Sequence, residues 1–335
     1  MSGLAMDLLL VTASWTHVLL APYSKVEESF NFHATLRYPR FSNVSRYDHS
    51  VFLGAVPWTF IGSIKLAWIA TPFVALGALL GLITSKFDFP RTVVFVCTMR
   101  LVLASLNAIA LIFLQRPVST RFGRQTSWLF TLPTCSQFHI PFWMGRTLHN
   151  MFALIPVNFV FYALYNRAPK STQAPKRNIN IAIALLTFTA VIFRSEVALL
   201  LGPLALQLLV QGRTKFANLV KIGLLAGLAS IALTIAADSY FWDQWPLWPE
   251  LYGIYFNVYL GKSSDWGITA DRSLVWNRHP PRDSGRYSRS QNLVLAFAPI
   301  AFVFALSAPG HKKWRFAIYV VPLANIAAAR GARWL

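Results

Sequence analysis

Long apolar runs separated by short basic clusters leave this chain one kind of solvent to fold in, a lipid bilayer. The runs fall near residues 4–21, 60–84, 92–114, 148–166, 178–193, 195–211, 217–237, 291–308 and 315–330. A helix needs about 20 residues, with roughly 17–25 workable, to cross the hydrocarbon. The shorter runs are therefore expected to tilt or to pair as hairpins. Composition agrees: 55% of the 335 residues are hydrophobic and only 13% charged, against about 25% charged in soluble domains. The predicted fold is an all-α polytopic transmembrane helix bundle, one domain over 1–335 that is incomplete at its C-terminus. The first run lacks a basic leader and an A-x-A cleavage site, and reads as an uncleaved span. The stretch 126–145 is apolar but broken by Pro133, Gln137, His139 and Pro141. It is expected to be re-entrant, where protein and water can satisfy irregular backbone.

Lys and Arg outnumber Asp and Glu, giving a formal charge of +19. No soluble module is left to hold nucleic acid, so the expected partner of this charge is membrane lipid, phosphate-bearing lipids included. Cys97 and Cys135 lie in or beside apolar runs and read as small core residues. The seven histidines lack Cys or His partners at ligand spacing, so neither a metal nor a cofactor is expected. The clusters Arg167 to Arg177 and Arg213 to Lys221 should be cytosolic. The tip Arg194-Ser195-Glu196 between them then reaches the other side. Counting back places Glu27, Glu28 and Arg146 to Asn150 there too, with the loop 238–290, while the arginines at 116–124 fall on that side against the charge rule. Asn43-Val44-Ser45 is a glycosylation sequon in the same far-side first loop. The Arg- and Ser-rich segment 265–290 reads as an irregular insertion.

Adjacent carboxylates at a membrane edge invite a functional reading, the bland alternative being two solvated loop acids. Several strings make the choice. They are Tyr23-Ser24-Lys25-Val26-Glu27-Glu28-Ser29-Phe30-Asn31, Tyr47-Asp48-His49 with Val56-Pro57-Trp58-Thr59-Phe60, and Gly145-Arg146-Thr147-Leu148-His149-Asn150. Phe193-Arg194-Ser195-Glu196, Asp238-Ser239-Tyr240-Phe241-Trp242, Trp248-Pro249-Glu250, Lys262-Ser263-Ser264-Asp265-Trp266-Gly267 and His311-Lys312-Lys313-Trp314-Arg315 follow in order. Together they resemble the dolichyl-phosphate-mannose-dependent mannosyltransferases of the endoplasmic reticulum (glycosyltransferase family 22, GT-C type), and within them the α-1,6 branch. Trp58, His149 and Lys313 depart from the family's usual residues, as does everything after Gly267.

The resemblance implies a multi-pass endoplasmic reticulum membrane enzyme with its active site in the luminal first loop. Its donor would be dolichyl-phosphate-mannose, and its acceptor the dolichyl-diphosphate oligosaccharide Man7GlcNAc2-PP-dolichol. The β-linked donor and α-1,6-linked product imply inversion by a single displacement, as a step of N-glycan precursor assembly. Such a step wants one carboxylate as general base and cationic groups at the departing phosphate. Glu28 is the preferred base, with Glu27 anchoring the loop, or the reverse. Phosphate partners are sought among Arg146, Arg194, Lys262, His311, Lys312 and Arg315. The alternatives are an Arg194–Glu196 ion pair and a cytosolic anchor at His311 to Arg315. Lys25 is expected to neutralise one of the glutamates. Asp48 and His49 either bind acceptor hydroxyls or brace a turn, and Asp238 is a sugar-contact candidate. Arg100 should face the bundle interior. Rival functions are an α-1,2-mannosyltransferase of the same family, a lipid-linked-sugar transporter and an inactive fragment. The transporter would require a polar path through the bundle, whereas the polar motifs here gather on one face.

Overall fold

The computed structural model describes residues 3–37, 56–81, 89–167, 171, 173–262, 297–307 and 314–333. The sequon at Asn43, Asp48, His49, His311, Lys312 and the segment 265–290 lie outside the described residues. The described chain is helical. In order come α1 (Gly3–Leu20), a 3-10 turn (Val26–Glu28), α2 (Ser29–Arg37), α3 (Ile61–Leu79), α4 (Phe89–Phe122), α5 (Arg124–Ser136), α6 (His139–Met144) and α7 (His149–Tyr165). Then follow α8 (Lys176–Ile192), the 3-10 turn Ser195–Val197, α9 (Ala198–Val210), α10 (Phe216–Trp242) and α11 (Pro249–Ile254). Last are α12 (Phe297–Leu306), the 3-10 segment Trp314–Val320 and α13 (Val321–Ala332).

Four of these helices, Gly3–Leu20, Ile61–Leu79, Val94–Phe122 and Phe216–Trp242, are long and apolar enough to cross a membrane. They carry large apolar side chains outward, among them Leu4, Leu8, Leu19, Leu224, Leu225 and Leu228. Helices apolar all round bury one side in protein and need lipid on the other. The core lies where α4, α7 and α8 meet, around Leu103, Leu111, Met151, Leu154, Val157 and Leu186. The expected runs near 4–21, 60–84, 148–166, 178–193 and 217–237 each coincide with a helix.

Polar contacts give the bundle two ends. Trp15 Nε1 donates to Ser105 Oγ at 2.9 Å, Gln115 Nε2 to Met6 Sδ at 3.0 Å and Arg100 Nη1 to the Ala21 carbonyl at 2.5 Å. Helices α1 and α4 are therefore antiparallel. Arg100 sits level with the end of α1 and Gln115 with its start. The 21 residues from Arg100 to Arg121 rise about 31 Å, close to the hydrocarbon thickness of about 30 Å.

This geometry corrects two expectations. Helix α4 runs on through Pro117 to Phe122, so Arg121 stands at the end opposite Glu28, as the charge rule prefers. The stretch 126–145 is not re-entrant. Its start is at the Gln115 level, where Gln115 donates to Ser127 Oγ, and its end is at Arg100, which donates to the Gly145 carbonyl. The segment traverses the bundle as two helices, α5 and α6, broken at Gln137 and Phe138. The break is tolerated because Asn325 of α13 answers it: Gln137 Nε2 donates to Asn325 Oδ1 at 3.0 Å, and Asn325 Nδ2 donates to Gln137 Oε1 and Thr134 Oγ1. The polar side chains beside the break are thus satisfied by protein, and the Gln137 N–H is still bonded to the Pro133 carbonyl.

Candidate functional site

The first loop is held by its own turn before anything distant touches it. The Glu28 N–H donates to the Lys25 carbonyl at 2.9 Å, and the Lys25 N–H donates back to Glu28 Oε1 at 3.0 Å. Adjacent residues of such a turn point apart, so the two glutamates meet different surroundings. Glu28 is fully buried and Arg146 Nη1 reaches its Oε1 at 2.7 Å. The Thr147 N–H approaches Oε2 at 3.4 Å. Arg146 Nη1 also donates to the Tyr23 carbonyl at 2.8 Å, and its guanidinium lies over the Phe142 ring at 4.5 Å. A carboxylate and a guanidinium both withdrawn from water are tolerable only as such a bonded pair.

Arg100 braces the pair from α4. It has no exposed surface, donates to the Ala21 carbonyl as above, and reaches the Gly145 carbonyl from Nε at 3.3 Å. Gly145 is required where three segments converge: a Cβ there would lie 2.4 Å from Val18 Cγ2 and 3.2 Å from the Arg100 carbonyl oxygen. Asn31 completes the junction, donating to the Thr147 carbonyl at 2.7 Å and accepting from Ser63 Oγ at 2.6 Å.

Glu27 faces the other way. Its side chain is 42% exposed and forms an ion pair with Arg315. Beside it lies a second charged group. Arg194 pairs with Glu196 through Nε, 3.0 Å from Oε1 and 2.9 Å from Oε2, and through Nη2. Its guanidinium stands 5.8 Å from the Trp58 ring and 5.3 Å from Phe316. Glu250 Oε2 accepts the Ser195 N–H at 2.7 Å. Burial pushes Glu250 up to about 7, with Arg194 pulling it down and Glu196 pushing it up. Burial opposes the charge on Arg194, but Glu196 and Glu250 outweigh it and hold the guanidinium above its ordinary value. Trp58 stacks on His149 at 4.7 Å, and His149 Nε2 lies 3.2 Å from the Thr59 carbonyl.

The structure thus brings Glu27, Glu28, Arg146, Arg194, Glu196 and Arg315 to one end of the bundle. Asp238 is close by but committed to the scaffold. It is buried and accepts from the Phe60 N–H at 2.7 Å, Thr59 Oγ1 at 3.2 Å and Thr234 Oγ1 at 2.5 Å. Lys25 does not neutralise a glutamate with its ammonium, which lies over the Trp143 and Phe142 rings at 4.8 and 5.8 Å. Lys262, at the border of the described residues, has its ammonium 5.5 Å from the Phe256 ring. Sequence reasoning passed over Glu250 as a site residue, although it stood in a quoted string. Arg100 was legible only as an intramembrane cation.

An open apolar groove of about 620 Å³ adjoins this end, lined by Gly62, Leu66, Phe152, Phe159, Phe188 and Phe193 among others. It runs between α3, α7 and α8 from Phe193, the neighbour of Arg194, to Asn166 and Arg177. Lys65 lines it near its upper end, 5.3 Å from the Phe188 ring.

An all-helical apolar bundle with paired acids and arginines gathered at one end has the fold of a polytopic membrane glycosyltransferase. Residues 6–271 match the model of the Alg9-like mannosyltransferase family, and the chain belongs to that family. It is 34% identical, over 97% of its length and 57% of the relative's, to a fission yeast (Schizosaccharomyces pombe) protein named a probable Dol-P-Man:Man(7)GlcNAc(2)-PP-Dol alpha-1,6-mannosyltransferase. Proteins of the same name, without the qualifier, from Drosophila melanogaster and Arabidopsis thaliana are 35% and 34% identical. In both cases 97% of this chain is covered, with 46% and 64% of the respective relative. The chain therefore spans about half to two thirds of the length of these curated relatives. No solved structure matches it.

Proposed function

We propose that this chain transfers mannose from dolichyl-phosphate-mannose to Man7GlcNAc2-PP-dolichol in α-1,6 linkage, with inversion, at the luminal face of the endoplasmic reticulum membrane. The observation that carries the reading is the division of labour between neighbouring glutamates, at the end of the bundle that an apolar groove adjoins. Glu28, preferred as the base on sequence, is sealed against Arg146 and acts as the anchor. Glu27 keeps exposed surface and acts as the base. The acceptor hydroxyl gives its proton to Glu27 as its oxygen attacks C1 of the mannosyl donor. The C1–O bond to phosphate breaks, and the electron pair leaves with the dolichyl phosphate.

Arg315 already neighbours Glu27, and a guanidinium offers five N–H donors in a planar fork. It holds the carboxylate on one side and receives the developing phosphate charge on the other. Arg194, oriented by its pair with Glu196, adds a guanidinium held in a fixed direction, whose N–H groups not used by Glu196 can meet a departing anion. The groove takes the prenyl tail and leaves the phosphate at its upper end. Trp58, stacked on His149, offers a sugar-binding face.

The test is expression in cells that lack the endogenous α-1,6 enzyme, followed by analysis of their lipid-linked oligosaccharides. The seven-mannose precursor should be extended by one residue, and extension should disappear with Glu27→Gln. Failure of the unaltered chain to extend it, or a protease-protection map placing Lys25 in the cytosol, overturns the reading.

A further inference from the structure

The end of the bundle opposite Glu28 holds a second concentration of charge that the proposed reaction does not use. Arg121 in the last turn of α4 shares the Phe122 ring with Arg330 and lies within electrostatic reach of Arg167 and, more weakly, of Arg213, which also acts on Arg167. These four come from separate elements: α4, the exit of α7, the turn after α9, and α13. Local structure brings them together. Gly212 adopts φ +64° and the Arg213 N–H donates to the Leu208 carbonyl at 2.9 Å, so the chain turns sharply at the end of α9 and keeps Arg213 beside its last turn, half-buried. Arg121 and Arg330 each stand 4.8 Å from the Phe122 ring, and Arg121 lies 5.5 Å from Tyr165. All four arginines are half-buried.

Charges that serve only to orient a chain in the membrane work from solvated loops. Here like charges are gathered and partly dehydrated, two of them, Arg121 and Arg330, against the same Phe122 ring. Burial presses Arg213 below the ordinary arginine value, and burial together with Arg213 does the same to Arg167. The Nε–H of Arg121 is buried and has no acceptor among the described residues. Six acids among the described residues, Glu27, Glu28, Glu196, Asp238, Asp243 and Glu250, belong to the other end, which leaves Asp7 in the first turns of α1 at this one. The cluster stands about 31 Å from Arg100 along α4, at the depth of a lipid headgroup.

We infer that Arg121 and Arg213, flanked by Arg167 and Arg330, form a phosphate-binding site on the bundle face remote from the paired glutamates. A phosphate monoester accepts hydrogen bonds from several directions and meets the fork geometry of guanidinium groups. Its source is an anionic lipid headgroup in the adjoining leaflet or a soluble phosphate. The site is independent of the mannosyl-transfer reading and survives its failure.

The test uses the full chain in phosphatidylcholine nanodiscs titrated with phosphatidic acid, with unfolding followed by tryptophan fluorescence. Phosphatidic acid should raise the melting temperature, and Arg121→Gln and Arg213→Gln should each weaken its apparent affinity about tenfold. Lys176→Gln removes an exposed charge from the same end and should leave the affinity unchanged. If Arg121→Gln does not fold, Arg213→Gln, on a turn, decides alone. Competition by inorganic phosphate assigns a soluble ligand, and its absence assigns the lipid headgroup; either supports the site. Equal loss with Lys176→Gln, equal stabilisation by the carboxylate amphiphile cholesteryl hemisuccinate, or no response to phosphatidic acid overturns it.

Discussion

Replacing Arg146 by Met tests whether the first loop is fixed by its buried ion pair. In the folded chain the Glu28 and Arg146 side chains are 0% and 4% exposed. Arg146→Met leaves the carboxylate buried, with the Lys25 N–H and the distant Thr147 N–H as its remaining donors. It also deprives the Tyr23 carbonyl of its shorter bond, leaving Arg100 Nη1 at 3.5 Å. Removing one member of a buried pair costs about 3–5 kcal/mol, because the survivor is stranded. Unfolding entropy of about 2.1 cal/mol/K per residue over 335 residues comes to about 0.7 kcal/mol/K, so the melting temperature should fall by about 4–7 °C. The double variant Glu28→Gln/Arg146→Met no longer strands a charge. It should recover about 2 kcal/mol relative to the sum of the two single changes. Thermal melts of the four proteins in one detergent, at one scan rate, supply the cycle. A single variant melting within about 1 °C of the parent, or a cycle that closes additively, would refute the claim that this pair holds the loop.

The two glutamates should separate activity from stability. Glu27→Gln is expected to lower transfer by about 10²–10⁴-fold with little change in melting temperature, whereas Glu28→Gln should lower both; the same lipid-linked glycan assay and melts decide. Glu250 binds its proton more tightly folded than unfolded, since burial raises it from 4.5 to about 7. Its contribution is therefore complete below about pH 4.5 and lost as pH climbs through about 7. Melting temperature against pH should slope downward across that window, and Glu250→Gln should flatten the slope. Gly145→Ala forces a methyl against Val18 and should destabilise by about 1–3 kcal/mol, read as a lowered melt with the site residues intact. Leu66→Trp narrows the groove and should raise KM for a long-chain prenyl donor more than for a short-chain one; equal effects on both would remove the tail from the groove.

The sequence disclosed the membrane bundle because apolar run length is a local property, and α1, α3, α7, α8 and α10 fall where the runs do. It brought Gly145-Arg146 and Arg194 to Glu196 to one end because basic loop clusters orient the turns between them, but it reached the first loop only by counting 126–145 as re-entrant, so that part of the gathering was right for a wrong reason. It could not disclose which glutamate is sealed, since Glu28 finds its partner 118 residues away and the choice depends on the hand of a three-residue turn. The crossing of 124–145 was hidden for a similar reason. Pro133 and Gln137 look like a failed span until Asn325, 188 residues on, partners the Gln137 amide inside the bundle. Lys25 was misjudged because charge proximity in sequence says nothing about Phe142 and Trp143, whose ring faces offer its ammonium an alternative. The Asp238 string was noticed as polar, but its three acceptor bonds depend on Thr59 and Phe60 arriving from the opposite half of the chain.

Arg100 and Arg146 grip the first loop by carbonyl oxygens, at Ala21 and Tyr23. A carbonyl is the same whatever residue bears it. Positions 21 and 23 are thus free to drift in side-chain identity, while the number of residues between the end of α1 and Glu28 is not. One residue inserted or deleted there would slide both handholds past their guanidinium groups and turn the glutamates out of register, a heavier loss than any exchange of side chains at those two positions.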